Sequence, residues 1–231
     1  MAYAASRRCK VKVENIIFDF DGTLVDTAED VVDCLQEAYQ AVLSGQTVNV
    51  ESGHIGPQLK EMIENITPDL EPETVIEIMR HFRQLYDNST YPKTRMRPGI
   101  PELLTGLQKQ AILMFIVTNK PKHATLKILK TLGMDYFREV VTPDFFPGKI
   151  VPKEAMIHYL VENYGLAAST TLMVGDSDTD VSAARQHRIK TLVVLDGYGN
   201  RELIRTSQPE FQVNRIDDIN HFVMELIKNG S

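Results

Sequence analysis

Two carboxylates separated by one residue stand directly after a short apolar run, in the segment DFDGTLVD at 19–26. Side chains alternate along a strand, so Asp19 and Asp21 share one side and Phe20 faces the other. Carboxylates at the end of a buried strand are costly unless they are paired, hydrogen-bonded or bound to a metal. One such group is suited to nucleophilic attack and the other to proton transfer. A simple Asp-Gly turn with helix-capping acids would use the same residue types, but the whole string after a hydrophobic strand favours the chemical interpretation.

A second acidic segment, GDSDTD at 175–180, follows another predicted strand. It holds three acids, Asp176, Asp178 and Asp180, and crowded carboxylate oxygens are ligands suited to Mg²⁺. The same acids would also cap the N-terminus of a helix predicted at 181–186. The residues alone leave both interpretations open.

Two weaker signals lie between these acidic segments. The segment TNKP at 118–121 ends a predicted strand, and its hydroxyl and free backbone N–H groups suit an anion, although it also reads as an ordinary loop. Lys153 opens a helix predicted at 153–164, and Lys149 is the competing lysine. We prefer Lys153 because it shares a helix face with apolar residues that should pack on the sheet, which directs its side chain toward Asp19.

The elements that must position these groups indicate an α/β fold. Short apolar runs alternate with helical patterns, which predicts a Rossmann-like parallel sheet with helices on both faces. Ligands of such sheets bind beyond the carboxyl ends of the strands, where the acidic segments stand. The strands are predicted at 15–20, 112–118, 139–142, 171–175, 191–195 and 211–213.

The stretch at 26–94 has apolar residues at helical spacing and no strand pattern, which predicts a small all-helical cap inserted after the first strand. We therefore predict a core domain formed by 1–25 and 95–231 and a cap domain at 26–94. Thr27 and Asp30 have the spacing of a capping box, with Asp in the place of Glu, at the first helix of the cap.

Composition and charge bear on the partners and the location of the protein. The chain has 25 Lys and Arg against 31 Asp and Glu, and its net charge of −6 disfavours nucleic acid and anionic membrane surfaces. The longest apolar run, at 111–117, is far shorter than the roughly 20 residues of a membrane helix. Cys9 and Cys34 are too few for a disulfide framework, so we expect free thiols. We predict a cytoplasmic protein, and the oligomeric state stays open.

Taken in order, these segments resemble the motifs of the haloacid dehalogenase-like hydrolase superfamily from residue 16 to about 195. The stretch at 26–94 looks like the helical cap of that superfamily's first cap class. The string at 19–26 and the loop centred on Gly56 are similar to the phosphoglycolate phosphatase-like branch.

The resemblance implies a role for each acidic residue. Asp19 would be the nucleophile that forms an aspartyl-phosphate, and Asp21 would be the general acid and then the general base. Asp19, Asp176 and the backbone carbonyl of Asp21 would bind Mg²⁺. Asp180 would orient metal-bound water or Lys153 without touching the metal itself.

The resemblance also implies how substrate is held. Thr118 and Asn119 match the phosphate-binding motif, and Lys153 matches the catalytic lysine. His54 and Gly56 lie in the cap loop and are the predicted substrate-binding residues there.

These roles predict a Mg²⁺-dependent phosphatase that acts on a small soluble phosphomonoester, such as phosphoglycolate, through an aspartyl-phosphate. Two alternatives stay open: a sugar phosphomutase of the β-phosphoglucomutase type, which shares the Asp-x-Asp string and the helical cap, and a non-catalytic module that binds a phosphorylated ligand. Dehalogenases are disfavoured because they lack the second acid that Asp21 supplies. The segment GYG at 197–199 lacks the spacing of a dinucleotide site and is interpreted as a loop.

Overall fold

The computed structural model describes residues 12–44, 48–56 and 58–230. At its centre lies a six-stranded sheet in which all neighbouring strands run parallel. The strands of the chain are β1 (Asn15–Phe18), β2 (Val25–Asp26), β3 (Arg95–Met96), β4 (Leu113–Val117), β5 (Glu139–Val141), β6 (Thr171–Gly175), β7 (Lys190–Val194) and β8 (Phe211–Val213). The sheet order is β5-β4-β1-β6-β7-β8. The predicted parallel α/β fold is confirmed, and β1 lies between β4 and β6.

Helices cover both faces of this sheet. They are α1 (Ala28–Val42), α2 (Leu59–Ile66), α3 (Pro72–Asn88), α4 (Ile100–Lys109), α5 (Lys122–Thr131), α6 (Lys153–Tyr164), α7 (Asp178–Gln186), α8 (Arg201–Ser207) and α9 (Asp217–Gly230). On β1, Ile16 and Phe18 face a core that includes α4, α5 and α9, while Ile17 faces a core built with α6 and α7. Burial on both faces explains why the central strands β1, β4 and β6 are largely apolar.

The chain between β2 and β3 is helical, with α1, α2, α3 and a short 3₁₀ turn at Ser52–His54. Its buried side chains include Leu35, Ile63 and Ile78, one from each long helix. β2 and β3 pair antiparallel as a ribbon of two residues each; the predicted limit after residue 25 divides β2, and the limit after residue 94 lies directly before β3. The sequence pattern missed this ribbon because two residues are too few to show a strand period.

The predicted capping box at the start of α1 is wrong. Thr27 makes no side-chain cap; its hydroxyl instead donates to Asp21 Oδ1 at 2.6 Å. Asp30 is buried and accepts from the Thr94 backbone N–H at 2.7 Å and from the Thr94 hydroxyl at 2.6 Å. Thr27 therefore binds an acid 6 positions earlier, and Asp30 binds Thr94, 64 positions later, which holds the outgoing helix against the returning chain.

Other local expectations are met. α6 begins at Lys153 as predicted and ends at Gly165, whose φ of 64° places it in the left-handed region. α7 begins three residues earlier than predicted, at Asp178. Cys34 is a free thiol, and Cys9 lies outside the described residues. Among the helices of the described ranges, none is both long enough and apolar enough to cross a membrane.

Candidate active site

The candidate site lies at the carboxyl edge of the sheet, where three central strands end side by side. Parallel register aligns β4, β1 and β6, and the Asp19 backbone N–H donates to the Val174 carbonyl at 2.9 Å. Thr118 directly follows β4, and Asp176 directly follows β6. Residues selected at distant positions of the sequence are therefore neighbours in space.

Three buried carboxylates form the centre of the site. Asp19, Asp176 and Asp180 each offer an oxygen, and these oxygens lie within 4.8 Å of one another. Burial raises the pKa of Asp19 well above its ordinary value, and although Lys153 opposes the rise, Asp180 and Asp176 add to it. Burial, followed by the charge of Asp180, raises the pKa of Asp176 to about 6. A divalent cation would relieve this crowding, so the oxygen donor set fits a hard metal ion.

Lys153 connects two of these acids. Its Nζ lies 2.9 Å from Asp19 Oδ1 and 2.7 Å from Asp180 Oδ1, and the residue is only 5% exposed. Burial alone would lower the pKa of Lys153, but the Asp180 and Asp19 carboxylates outweigh it and raise the pKa above the ordinary value. Lys153 therefore stays charged beside Asp19. Lys149 lies on the exposed loop before α6.

Asp180 builds the turn after β6 as well as contacting Lys153. Its Oδ2 accepts from the Ser177 hydroxyl at 2.7 Å and from the backbone N–H groups of Ser177 and Asp176 at 3.0 and 3.2 Å. Ser177 and Asp180 form a capping box on α7. The helix-capping and active-site interpretations of this segment therefore describe the same residues.

The Asp21 carboxylate has partners of its own, different from those of the other acids. It accepts the Thr27 hydroxyl, and Lys120 Nζ lies 3.0 and 3.1 Å from its two oxygens. Lys120 is in turn 4.8 Å from the ring centroid of Tyr86, on α3. Sequence analysis named Asp21 but gave no role to Lys120, because its partner lies 99 positions away.

The predicted phosphate-binding residues stand at the end of β4. Thr118 is buried, and its hydroxyl accepts the Lys120 backbone N–H at 3.1 Å. Asn119 is exposed beside it. Because β4 lies next to β1 in the sheet, Thr118 and Asn119 stand beside the end of β1 and Asp19.

The two predicted cap-loop residues differ in their surroundings. Gly56 has φ +137°, and a Cβ there would lie 3.0 Å from the carbonyl oxygen of Tyr198, so the cap loop touches the loop after β7. His54 is half-buried, and its Nδ1 accepts the Glu51 backbone N–H at 3.0 Å. The structure thus brings Gly56 against the core and leaves His54 bonded within its own turn.

Tyr198 was missed as a functional residue. Its backbone N–H donates to Asp176 Oδ2 at 2.6 Å. Its hydroxyl donates to Asp26 Oδ1 at 2.5 Å and accepts the N–H groups of Thr27 and Ala28 at 2.8 and 3.0 Å. Tyr198 therefore joins the acidic group, through its backbone, to the N-terminus of α1, through its side chain.

The glycines that flank Tyr198 were the available signal. A Cβ on Gly197 would lie 2.3 Å from Asp176 Cβ, and one on Gly199 would lie 2.0 Å from the Asp176 carbonyl oxygen. Only glycine permits this close approach of backbone to backbone. The segment was interpreted as a loop because only the dinucleotide spacing was considered.

Arg97 holds the turn that follows Asp21. Its guanidinium donates to the Gly22 carbonyl at 2.8 Å and to the Asp196 carboxylate at 2.8 Å. Gly22 has φ +77°, and a Cβ there would lie 2.2 Å from Asp176 Oδ2. The turn, the acid and the guanidinium therefore fit together only with glycine at position 22.

The chain is similar to known hydrolases in both sequence and structure. The sequence model of haloacid dehalogenase-like hydrolases matches residues 16–194. A phosphoglycolate phosphatase of Nitrosococcus oceani is 31% identical over 219 residues, which cover 92% of this chain and 97% of that protein. A 5′-nucleotidase of Pseudomonas aeruginosa is 28% identical over 204 residues, or 88% of this chain and 92% of that protein. The crystal structure of a predicted phosphoglycolate phosphatase from Haemophilus somnus has a TM-score of 0.79 at 25% identity, over 91% of this chain and 98% of that one.

Proposed function

Since the chain belongs to the haloacid dehalogenase-like hydrolase family, we propose that it is a phosphatase acting on a small phosphomonoester that resembles phosphoglycolate. The observation that carries the proposal is the contact of Lys153 with Asp19, at 2.9 Å, beside the Asp176 carboxylate. An anionic nucleophile approaches a phosphate dianion only where positive charge offsets the repulsion. Relatives named phosphoglycolate phosphatase support the substrate class.

We assign Mg²⁺ to the acidic group. Asp19 and Asp176 would hold it through their carboxylates and Asp21 through its backbone carbonyl. When bound, the ion supplies positive charge against the phosphoryl oxygens. Asp180 contacts Lys153 through one oxygen and the Ser177 hydroxyl through the other, and we assign it to positioning Lys153 and the turn after β6.

In the first step, an Asp19 carboxylate oxygen attacks phosphorus while the bond from phosphorus to the ester oxygen breaks. Asp21 gives its proton to that oxygen, so the leaving group departs as a neutral alcohol. Thr118 and Asn119 would hold phosphoryl oxygens at the end of β4. Lys153 keeps Asp19 oriented and offsets the negative charge that gathers around phosphorus.

In the second step, Asp21 takes a proton from water and the resulting hydroxide attacks the phosphorus of the aspartyl-phosphate. The bond from phosphorus to Asp19 breaks, which releases inorganic phosphate and restores the Asp19 carboxylate. Asp21 ends the cycle protonated, ready for the next leaving group.

We propose that 26–94 acts as a cap over this edge and carries residues that select the substrate, with Gly56 and His54 in its contact loop. The contact of Gly56 with Tyr198 supports the assignment of Gly56. We expect the protein to work in the cytoplasm on a phosphorylated metabolite, and its net charge of −6 argues against a nucleic acid partner.

The test is phosphate release from a panel of phosphorylated metabolites, with and without Mg²⁺. We expect steady turnover of phosphoglycolate-like esters in the presence of Mg²⁺ and none with Asp19→Asn. A rearranged sugar phosphate without free phosphate would identify a phosphomutase instead. Binding without turnover of any ester, including a generic aryl phosphate, would identify a non-catalytic module.

A further inference from the structure

The reaction described above gives no part to Lys120, although its ammonium lies inside the site. Lys120 Nζ lies 3.0 and 3.1 Å from the two oxygens of Asp21, and only 8% of its side chain is exposed. Taking an ammonium group out of water is expensive, so a buried lysine beside a catalytic acid needs a reason to be there.

We propose that Lys120 is the specificity-determining cation of the site, which binds a second negative charge on the substrate and thereby releases the Asp21 carboxylate to face the leaving oxygen. The inference rests on the proposed phosphatase function and names its substrate class: phosphate esters of small hydroxy acids, in which a carboxylate stands one carbon from the ester carbon.

The other buried cations of the described site are committed to fixed partners. Lys153 contacts both Asp19 and Asp180. Arg97 binds the Asp196 carboxylate and backbone carbonyls. The ion pair of Lys120, by contrast, is with Asp21, the residue that has to turn to the substrate during catalysis. The positive charge of Lys120 is therefore free to pair with the substrate when Asp21 turns to the leaving oxygen.

Distance places this cation near the substituent of the leaving group. The leaving oxygen has to come within hydrogen-bond reach of Asp21, about 3 Å. Because Lys120 Nζ is 3.0 Å from one Asp21 oxygen and 3.1 Å from the other, a carboxylate next to the ester carbon falls within reach of the lysine. Pairing with that carboxylate replaces the pairing with Asp21.

The rings of Tyr86 and Tyr91 lie beside Lys120. Both residues are buried, at 4% and 2% exposed; within the described ranges the Tyr91 hydroxyl has no hydrogen-bond partner, whereas the Tyr86 hydroxyl contacts Lys120. Their rings meet edge to face at 5.0 Å, and the Tyr86 ring lies 4.8 Å from Lys120 Nζ. Burial raises the pKa of Tyr86 to about 12, so its hydroxyl remains a donor. Buried donors without partners are costly, and a ligand oxygen at Lys120 would supply one.

The experiment compares three esters of one size class: phosphoglycolate, its neutral amide phosphoglycolamide, and ethyl phosphate, which has neither group. kcat and KM are measured for the parent, for Lys120→Met and for Lys122→Met. Lys122 is the matched control, because it lies two residues away on the exposed start of α5 and undergoes the same substitution. Circular dichroism and Tm establish that each variant is folded.

We expect the parent to favour the carboxylate over the amide by about 10–100-fold in kcat/KM, the range of a hydrogen bond to a charged group. Lys120→Met should bring that ratio close to one, because the loss of turnover falls mainly on the carboxylate ester. Lys122→Met should keep the parental ratio. Tyr86→Phe should lower the preference by a few-fold without changing the amide.

Two results would overturn the proposal: a parent that turns over the three esters equally, or a folded Lys120→Met protein that loses all three by the same factor. The second result would mean that Lys120 only positions Asp21. If Lys120→Met does not fold, Lys120→Gln takes its place, and the comparison of the three esters in the parent still tests the proposal. In each of these cases phosphate is still released, so the phosphatase proposal stands or fails separately.

Discussion

Removing the charge of Asp176 should stabilise the protein that holds no metal. The carboxyl of Asp176 has a pKa of about 6 in the folded protein, against an ordinary value of 3.8. Because the folded state holds this proton more tightly than the unfolded chain, the free energy of unfolding falls as the pH rises from about 4 to about 6 and stays low above that window. The difference corresponds to about 3 kcal/mol at pH 7.

Asp176→Asn removes this penalty and keeps most hydrogen bonds. Its amide oxygen still accepts the Tyr198 N–H, and its NH₂ group turns to Thr23, whose hydroxyl reverses to accept. Allowing roughly 1 kcal/mol for weaker neutral hydrogen bonds, we expect a gain of about 2 kcal/mol at pH 7. That gain raises Tm by about 4–8 °C in a chain of this size.

The measurement is urea and thermal unfolding in a chelator at pH 4.5 and pH 7.5. Asp178→Asn is the control, because it changes the same charge two residues away, at the half-exposed first residue of α7. The gain in the free energy of unfolding of Asp176→Asn should appear at pH 7.5 and shrink at pH 4.5. It should be absent in the control. Mg²⁺ should raise the Tm of the parent and leave that of Asp176→Asn almost unchanged. A variant that is less stable than the parent at pH 7.5 would refute the assignment of a crowded, cation-seeking carboxylate.

Three further predictions concern turnover. Asp19→Asn should form no phosphoenzyme, whereas Asp21→Asn should accumulate aspartyl-phosphate from an aryl phosphate while losing about 10²–10⁴-fold in turnover of an alkyl ester; acid-quenched protein analysed by mass spectrometry separates the two, and equal mild losses would indicate a structural turn. Lys153→Met should lower kcat by orders of magnitude and destabilise the fold by about 3–5 kcal/mol, while Lys149→Met stays within a few-fold of the parent; the reverse result would move the role to Lys149. Tyr198→Phe keeps the backbone bond to Asp176 but loses the hydroxyl contacts at the start of α1, so kcat for the best ester should fall by about 10-fold with bound Mg²⁺ affinity unchanged by calorimetry; loss of Mg²⁺ affinity would show that the hydroxyl acts on the metal site and not on the cap.

The parts of the fold that sequence predicts are those with a long period or a special residue at a boundary. The central strands of the sheet are largely apolar because both faces of the sheet are covered, and α6 begins and ends where Lys153 and Gly165 indicate. Asp19 and Asp176 could be placed at one edge because carboxyl ends of parallel strands meet there. Lys153 could be directed toward Asp19 because the apolar face it shares packs on the sheet.

Most of the missed features depend on partners far along the chain. Asp30 carries a local capping pattern but binds Thr94, 64 positions away, whereas Thr27 binds Asp21, 6 positions earlier, through a turn that the capping pattern does not describe. Lys120 looked like a loop residue because its acid is 99 positions away. Tyr198 was passed over for a related reason, since its hydroxyl meets the start of α1 about 170 positions earlier in the sequence.

The charges of the site explain why its chemistry and its stability have to be considered together. Three buried carboxylates meet one ammonium, that of Lys153, which leaves two negative charges in a place that water does not reach well. A divalent cation balances them, whereas a phosphate dianion entering first would double the imbalance. Asp21 and Lys120 form a separate neutral pair beside this group, so a substrate that takes Lys120 with its own carboxylate leaves the Asp21 carboxyl without its cation. We therefore expect the central group to bind phosphate only with a metal ion in place, and the outer pair to respond to the group that the phosphate is attached to.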